Sequence, residues 1–292
     1  MVHTLKPANT SGTSSLQTLV DGLRFPESPR WHDGRLWFSD FFQRCVFSVS
    51  ELGVPREELQ LADSPSGLGW DPEGNLIVVS MHDRRLLTQR GCALQELANL
   101  SVHTGGHCND LLVDEFGRCY VGNFGFDLYA GHRPRPTCLL RVDPDRSVHR
   151  AAEQLWFPNG MALTPDGATL IVAETYAHRL TAFNVEPSGG LSNRRVFAEL
   201  PALYPDGICL DVEGAVWVAD ARGNRVLRIK HGVGIVRTIS TGSHRAYACM
   251  LGGHDGQTLF VCTASGIGPM TAQVHDGRIE FARVDVPHAG RP

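Results

Sequence analysis

Apolar residues in this chain gather in short runs broken by polar, glycine-bearing turns, and the runs repeat as a pattern. The fullest copy spans residues 157–175, FPNGMALTPDGATLIVAET: an apolar strand, a tight turn closing on glycine, then a second strand of bulky β-formers. Weaker copies lie at residues 27–40 (ESPRWHDGRLWFSD), 66–80 (SGLGWDPEGNLIVVS), 109–123 (NDLLVDEFGRCYVGN) and 206–220 (DGICLDVEGAVWVAD), with a degenerate one at 248–263. Their starting residues, 27, 66, 109, 159, 206 and 248, are 39, 43, 50, 47 and 42 residues apart. That spacing is the size of a propeller blade of four antiparallel strands. No segment carries a sustained helical period. The pattern therefore predicts an all-β chain folded as a six-bladed β-propeller.

The turns supply the local mechanism. Gly74, Gly117, Gly167 and Gly214 end their turns, where a residue without Cβ takes the positive φ that closes a hairpin. Further β-like runs at 44–49, 139–142, 180–185 and 225–229 read as third strands. Residues 125–136 and 186–193, rich in charge, glycine or proline, read as blade loops. A circular fold must join its ends, so the strand-like segments 16–23 and 278–286 are expected to share one blade. The expected organisation is a flexible N-terminal arm over residues 1–15 and a single propeller domain over 16–292.

In a propeller the innermost strand of each blade runs along the central channel, so equivalent positions form a ring. Aligning the copies on their turn glycines gives Glu27, Ser66, Asn109, Asn159, Asp206 and Ala248 as that ring. Five are polar, and four offer carboxylate or amide oxygens, the donors preferred by hard divalent cations. Glu27 and Asp206 together match the charge of such an ion. Calcium is the first expectation, with Zn2+, Mn2+ or Mg2+ as other divalent options. The competing reading is that Asn159-Gly160 and Asp206-Gly207 merely cap strand starts; polarity in register at four positions favours the ring.

Composition narrows the partners. A formal net charge of −4 without a basic cluster argues against a nucleic-acid surface. The apolar runs are far shorter than a membrane span requires, and the N-terminal sequence lacks the pattern of a signal peptide. The eight cysteines have no two-residue spacing of a zinc or redox motif. The expectation is a cytoplasmic protein with reduced thiols, monomeric or a small homo-oligomer, with neither nucleic acid nor membrane as partner.

Phe25-Pro26-Glu27-Ser28-Pro29, Leu36-Trp37-Phe38-Ser39-Asp40, Asn109-Asp110, Phe157-Pro158-Asn159-Gly160 and Tyr204-Pro205-Asp206-Gly207 closely resemble motifs of the SMP-30/gluconolactonase/luciferin-regenerating-enzyme (LRE) family of six-bladed propellers. The resemblance covers nearly all of the chain after the arm. It implies that Glu27, Asn159 and Asp206 hold a divalent metal, with Asn109 on the substrate side. It also implies a hydrolase that opens a small-molecule lactone or related ester, some relatives of this fold acting on phosphotriesters. Where the sugar-lactonase pattern has an arginine two residues before the Asn109 position, this chain has His107. Imidazole lacks the five-donor fork of guanidinium.

In the expected reaction the ion polarises the lactone carbonyl and Asp206 takes the proton of attacking water, with His107 as the alternative base or a substrate donor. His82 and Glu174, near the ends of second strands, are further candidates for lining the substrate pocket. Two readings from other classes stay open: a non-enzymatic binding propeller with a structural ion, and a metal-free propeller enzyme of the strictosidine-synthase kind.

Overall fold

The structure, a computed structural model, describes residues 16–268, 270 and 273–290. The expected N-terminal arm, residues 1–15, lies outside the described residues. The described strands form six four-stranded antiparallel sheets, five of them in simple chain order. The first holds β2 (Pro26–His32), β3 (Arg35–Asp40), β4 (Cys45–Val49) and β5 (Pro55–Gln60), and the second β6 (Pro65–Trp70), β7 (Leu76–Ser80), β8 (Arg85–Arg90) and β9 (Ala93–Asn99). The third holds β10 (Cys108–Val113), β11 (Cys119–Asn123), β12 (Thr137–Val142) and β13 (Val148–Leu155). The fourth holds β14 (Pro158–Leu163), β15 (Thr169–Glu174), β16 (Arg179–Val185) and β17 (Leu191–Glu199), and the fifth β18 (Pro205–Leu210), β19 (Ala215–Asp220), β20 (Arg225–Lys230) and β21 (Gly234–Ser240).

The sixth sheet joins the two ends of the chain: β22 (Arg245–Gly252), β23 (Thr258–Ala264) and β24 (Gly277–Arg283) are completed by β1 (Gln17–Leu23), which pairs with β24. This is the shared blade expected from residues 16–23 and 278–286, and the whole is a six-bladed propeller. All six hairpin glycines, Gly34, Gly74, Gly117, Gly167, Gly214 and Gly256, have positive φ. Residues 125–136 form a loop, as expected, whereas residues 191–193 open β17 instead of belonging to the preceding loop.

Burial follows strand order. β14, β15, β18, β19 and β23 are buried almost throughout, whereas the outermost strands β5, β9 and β21 are largely exposed. Apolar clusters fill the space between neighbouring sheets; one sets Ile171 and Ala173 of the fourth sheet against Ile208, Val216 and Val218 of the fifth.

The glycines of the Asn-Gly and Asp-Gly pairs at the channel have a packing role of their own. A Cβ on Gly160 would lie 2.5 Å from the Asp206 carbonyl oxygen, and one on Gly207 2.5 Å from Ala248 Cβ. The glycine after the ring residue is thus where the next inner strand passes at backbone distance, a role only a missing side chain permits.

Candidate metal centre and cavity

Each inner strand loses regular pairing at or beside its ring residue: the register breaks between Glu27 and Arg30, Pro65 and Leu68, Cys108 and Leu111, Pro158 and Met161, Pro205 and Ile208, and Ala246 and Ala248. Bulges of this kind re-aim a side chain out of the alternation of the pleat. Ser28, directly after Glu27, and Phe157, two residues before Asn159, hold left-handed backbone at φ 49° and 56°, an uncommon state for residues with a Cβ.

A hydrogen-bond chain links three of the ring residues. Ser66 Oγ donates to Asn109 Oδ1 at 3.2 Å, and Asn109 Nδ2 donates to Asn159 Oδ1 at 2.7 Å. Asn159 Nδ2 in turn donates to Thr175 Oγ1 at 3.3 Å, and Thr175 donates to the Pro205 carbonyl at 2.8 Å. The chain fixes which face of the Asn159 amide carries oxygen.

The two acids are poorly satisfied. Glu27 accepts a bond from the Ser28 N–H at 2.7 Å, while Asp206 Oδ1 is buried without a hydrogen-bond partner. Burial, with the neighbouring Asp110 charge adding to it, pushes Glu27 up to about 8 despite the Ser28 bond. Burial and then the charges of Glu27 and Asp110 raise Asp206 well above the usual carboxylate range. This is the signature of like charges held together out of water.

Two neighbours escaped the sequence reading. Asp110, next to Asn109, accepts from Arg30 Nη2 at 2.6 Å and from the Leu111 N–H at 2.8 Å, and both partners of the Arg30–Asp110 pair are buried. With all four ionised, the carboxylates of Glu27, Asp110 and Asp206 against the single guanidinium of Arg30 leave two net negative charges, the complement of a divalent cation. The orphaned Asp206 oxygen, with the Glu27 carboxylate as a second buried acid, fits the oxygen-donor chemistry of such an ion. Among the described residues no three His, Cys, Asp or Glu side chains form a metal cluster, and a Glu–Asn–Asp set contains only two residues of those types.

Glu174 is placed elsewhere. Its carboxylate receives the Trp156 N–H at 2.9 Å, Arg179 Nε and Arg194 Nη2 at 3.0 Å each, and Thr181 Oγ1 at 2.5 Å. Burial alone would raise its pKa, but these donors outweigh it and hold the group below the usual range. Asp40 and Asp220, at the ends of β3 and β19, likewise accept backbone N–H groups from the residues leading into their inner strands. The pocket-lining role expected of Glu174 gives way to this bracing, because its lone pairs are already occupied.

His82 and His107 do come together, with ring centroids 4.6 Å apart in an edge-on arrangement. Asp63 holds His82 Nδ1 at 2.7 Å. Burial, reinforced by His82, lowers the His107 pKa and keeps its imidazole neutral near pH 7. Its Nδ1 is buried without a partner, and its ring lies 5.7 Å from that of Tyr129.

Tyr129 belongs to a cavity of about 320 Å³ that reaches Asp206 and Thr175 and is also walled by Phe157, Tyr176 and Tyr247. Aromatic residues line this mouth because positions flanking the ring on several blades, among them Phe25, Phe41, Phe124 and Phe157, are apolar and pack together. A second depression, about 280 Å³ around His103, Arg135 and Arg150, touches none of the ring residues. The eight cysteines are all unpaired, and only Cys92 is exposed.

Residues 25–265 match the family model described as "SMP-30/Gluconolactonase/LRE-like region". Among curated proteins, the chain is 34% identical over 178 residues to the regucalcin of Danio rerio, spanning 59% of this chain and 59% of that protein. It is 28% identical over 276 residues to the 6-deoxy-6-sulfogluconolactonase of Pseudomonas putida, covering 91% of this chain and 93% of that protein. A solved luciferin-regenerating enzyme superposes with a TM-score of 0.81 at 18% identity, over 94% of this chain and 97% of that one, a likeness of fold.

Proposed function

We propose that this chain, which belongs to the SMP-30/gluconolactonase/LRE-like family, is a divalent-cation-dependent lactonase whose ion is held by Glu27, Asn159 and Asp206. The observation that carries the reading is the buried, unpartnered Asp206 oxygen in a channel whose acids have raised pKa values. Oxygen donors make calcium the first choice of ion. When bound, the cation supplies Lewis acidity at an ester carbonyl and balances the buried charge. The lactonase name of the Pseudomonas relative, aligned over most of both chains, supports the reaction class.

The chain's own residues perform the rest. Ser66, Asn109 and Thr175 lock the Asn159 amide so that its oxygen need not reorganise. Arg30 absorbs the charge of Asp110 at 2.6 Å and leaves Glu27 and Asp206 as the net anionic pair. Asp206 takes the proton of the water that attacks the carbonyl and returns it to the ring oxygen as the C–O bond breaks. Neutral His107, next to Tyr129, offers a single imidazole contact to the substrate in place of a guanidinium fork, and His82, braced by Asp63, is its neighbour. The absence of disulfides among the eight thiols supports a cytoplasmic setting.

The test is a panel of sugar, aliphatic and aromatic lactones assayed before and after chelation. Hydrolysis that disappears with chelator and returns with calcium is expected, and His107→Arg should shift preference towards polyhydroxylated lactones. Turnover indifferent to chelation would exclude the proposal.

A further inference from the structure

The cavity beside Asp206 has an aromatic wall and a cationic rim. Arg222 and Arg245 both line it and are both exposed. Among the described residues neither guanidinium pairs with a carboxylate. Arg222 lies 4.2 Å over the Tyr204 ring and donates to the Tyr204 hydroxyl at 3.1 Å; Arg245 lies beside the Tyr247 hydroxyl. Tyr247 is 1% exposed and its hydroxyl has no hydrogen bond of good geometry, so a buried donor is left to be satisfied within the same cavity. Burial pushes that phenol up to about 12, which keeps its proton in place.

Two cations without counter-ions at the rim of an acidic channel create a steep local field from positive mouth to negative floor. A neutral polyhydroxy lactone would find aromatic faces and few acceptors on these walls. A ligand bearing an anion at one end would satisfy Arg222, Arg245 and the Tyr247 hydroxyl together, while its uncharged ester end points toward Asp206.

We propose that this cavity selects lactones carrying an anionic oxyacid group, carboxylate or sulfonate, on a sparsely hydroxylated body that packs against Tyr129, Phe157 and Tyr176. The inference rests on the lactonase reading for which end reacts, but the binding it asserts does not require turnover.

Calorimetric titration of the calcium-loaded protein with carboxyphthalide, sulfophthalide and the neutral phthalide carboxamide tests it. The acids should bind roughly ten-fold tighter than the amide, with the tighter of the two identifying the anion. Added salt should erode that advantage, because the rim is exposed. The Arg222→Gln/Arg245→Gln double variant should remove the preference and leave amide affinity unchanged; both sites are on the surface, and circular dichroism would verify the fold. Equal affinity for acid and amide, a preference that survives in the double variant, or no binding of any of the three would overturn the inference. Hydrolysis is followed in parallel: anion-selective binding without turnover contradicts the lactonase reading alone, and turnover without anion preference contradicts this inference alone.

Discussion

Asp206 and Glu174 are buried acids at opposite ends of equivalent strand–turn–strand units in neighbouring blades, yet they are opposite in character. Glu174 sits where a second strand ends and is met by two arginines, a threonine and a backbone N–H; its pKa is lowered. Asp206 sits where an inner strand begins and keeps an oxygen with no partner; its pKa is raised. Residue type and burial do not separate them. What separates them is whether the fold supplies the counter-charge: the outer strands bring Arg179 and Arg194 to one, while the channel brings a further carboxylate, Glu27, to the other. A fold that leaves buried acids uncompensated has left a place for something else to compensate them.

The comparison breaks first at Asp206. Asp206→Asn should lower lactone turnover by about 100- to 1,000-fold, the scale on which a single preorganised electrostatic group acts, while the melting temperature of the metal-free protein holds or rises, because a buried acid with an unpartnered oxygen is removed. A loss of stability instead would make Asp206 a brace like Glu174.

Glu174→Gln is the converse. Removing one partner of a buried ion pair costs about 3 kcal/mol, a melting-point drop of roughly 6–12 °C for a chain of this size, with calcium affinity intact. Weakened calcium binding at unchanged stability would return Glu174 to the site.

A smaller effect follows from pH. Glu27 ionises near pH 8 in the folded chain against an ordinary value of 4.5, so the folded state holds its proton longer than the unfolded state does. The penalty for ionising it is absent below about pH 4.5 and complete above about pH 8. Calorimetric melting of the metal-free protein should therefore fall across that window, with Asp206 acting in the same direction, and excess calcium should flatten the decline. A melting point that rises from about pH 5.5 to about pH 8 without metal would contradict the assignment.

The blade pattern was readable because each hairpin needs a glycine at positive φ, and Gly34, Gly74, Gly117, Gly167, Gly214 and Gly256 mark all six. The ring register was readable from the same glycines, although the reason each position turns into the channel, a break in strand pairing, has no sequence mark of its own. Glu174 misled because Arg194, which neutralises it, comes from β17, across the sheet and 20 residues away. Arg30 and Asp110 are 80 residues apart and meet only when the ring closes. The cavity wall was hidden for a related reason: Tyr129, Arg222 and Arg245 lie outside the aligned repeat, in connections and at a strand's first residue, where periodicity carries no signal.

Calorimetric titration of chelator-stripped protein with calcium tests the central claim most directly. One ion per chain, bound with release of a proton near pH 7 as Glu27 ionises and abolished by Asp206→Asn, is the predicted result. Binding that is absent, or that persists unchanged in Asp206→Asn, would show that the uncompensated acids do not hold the ion.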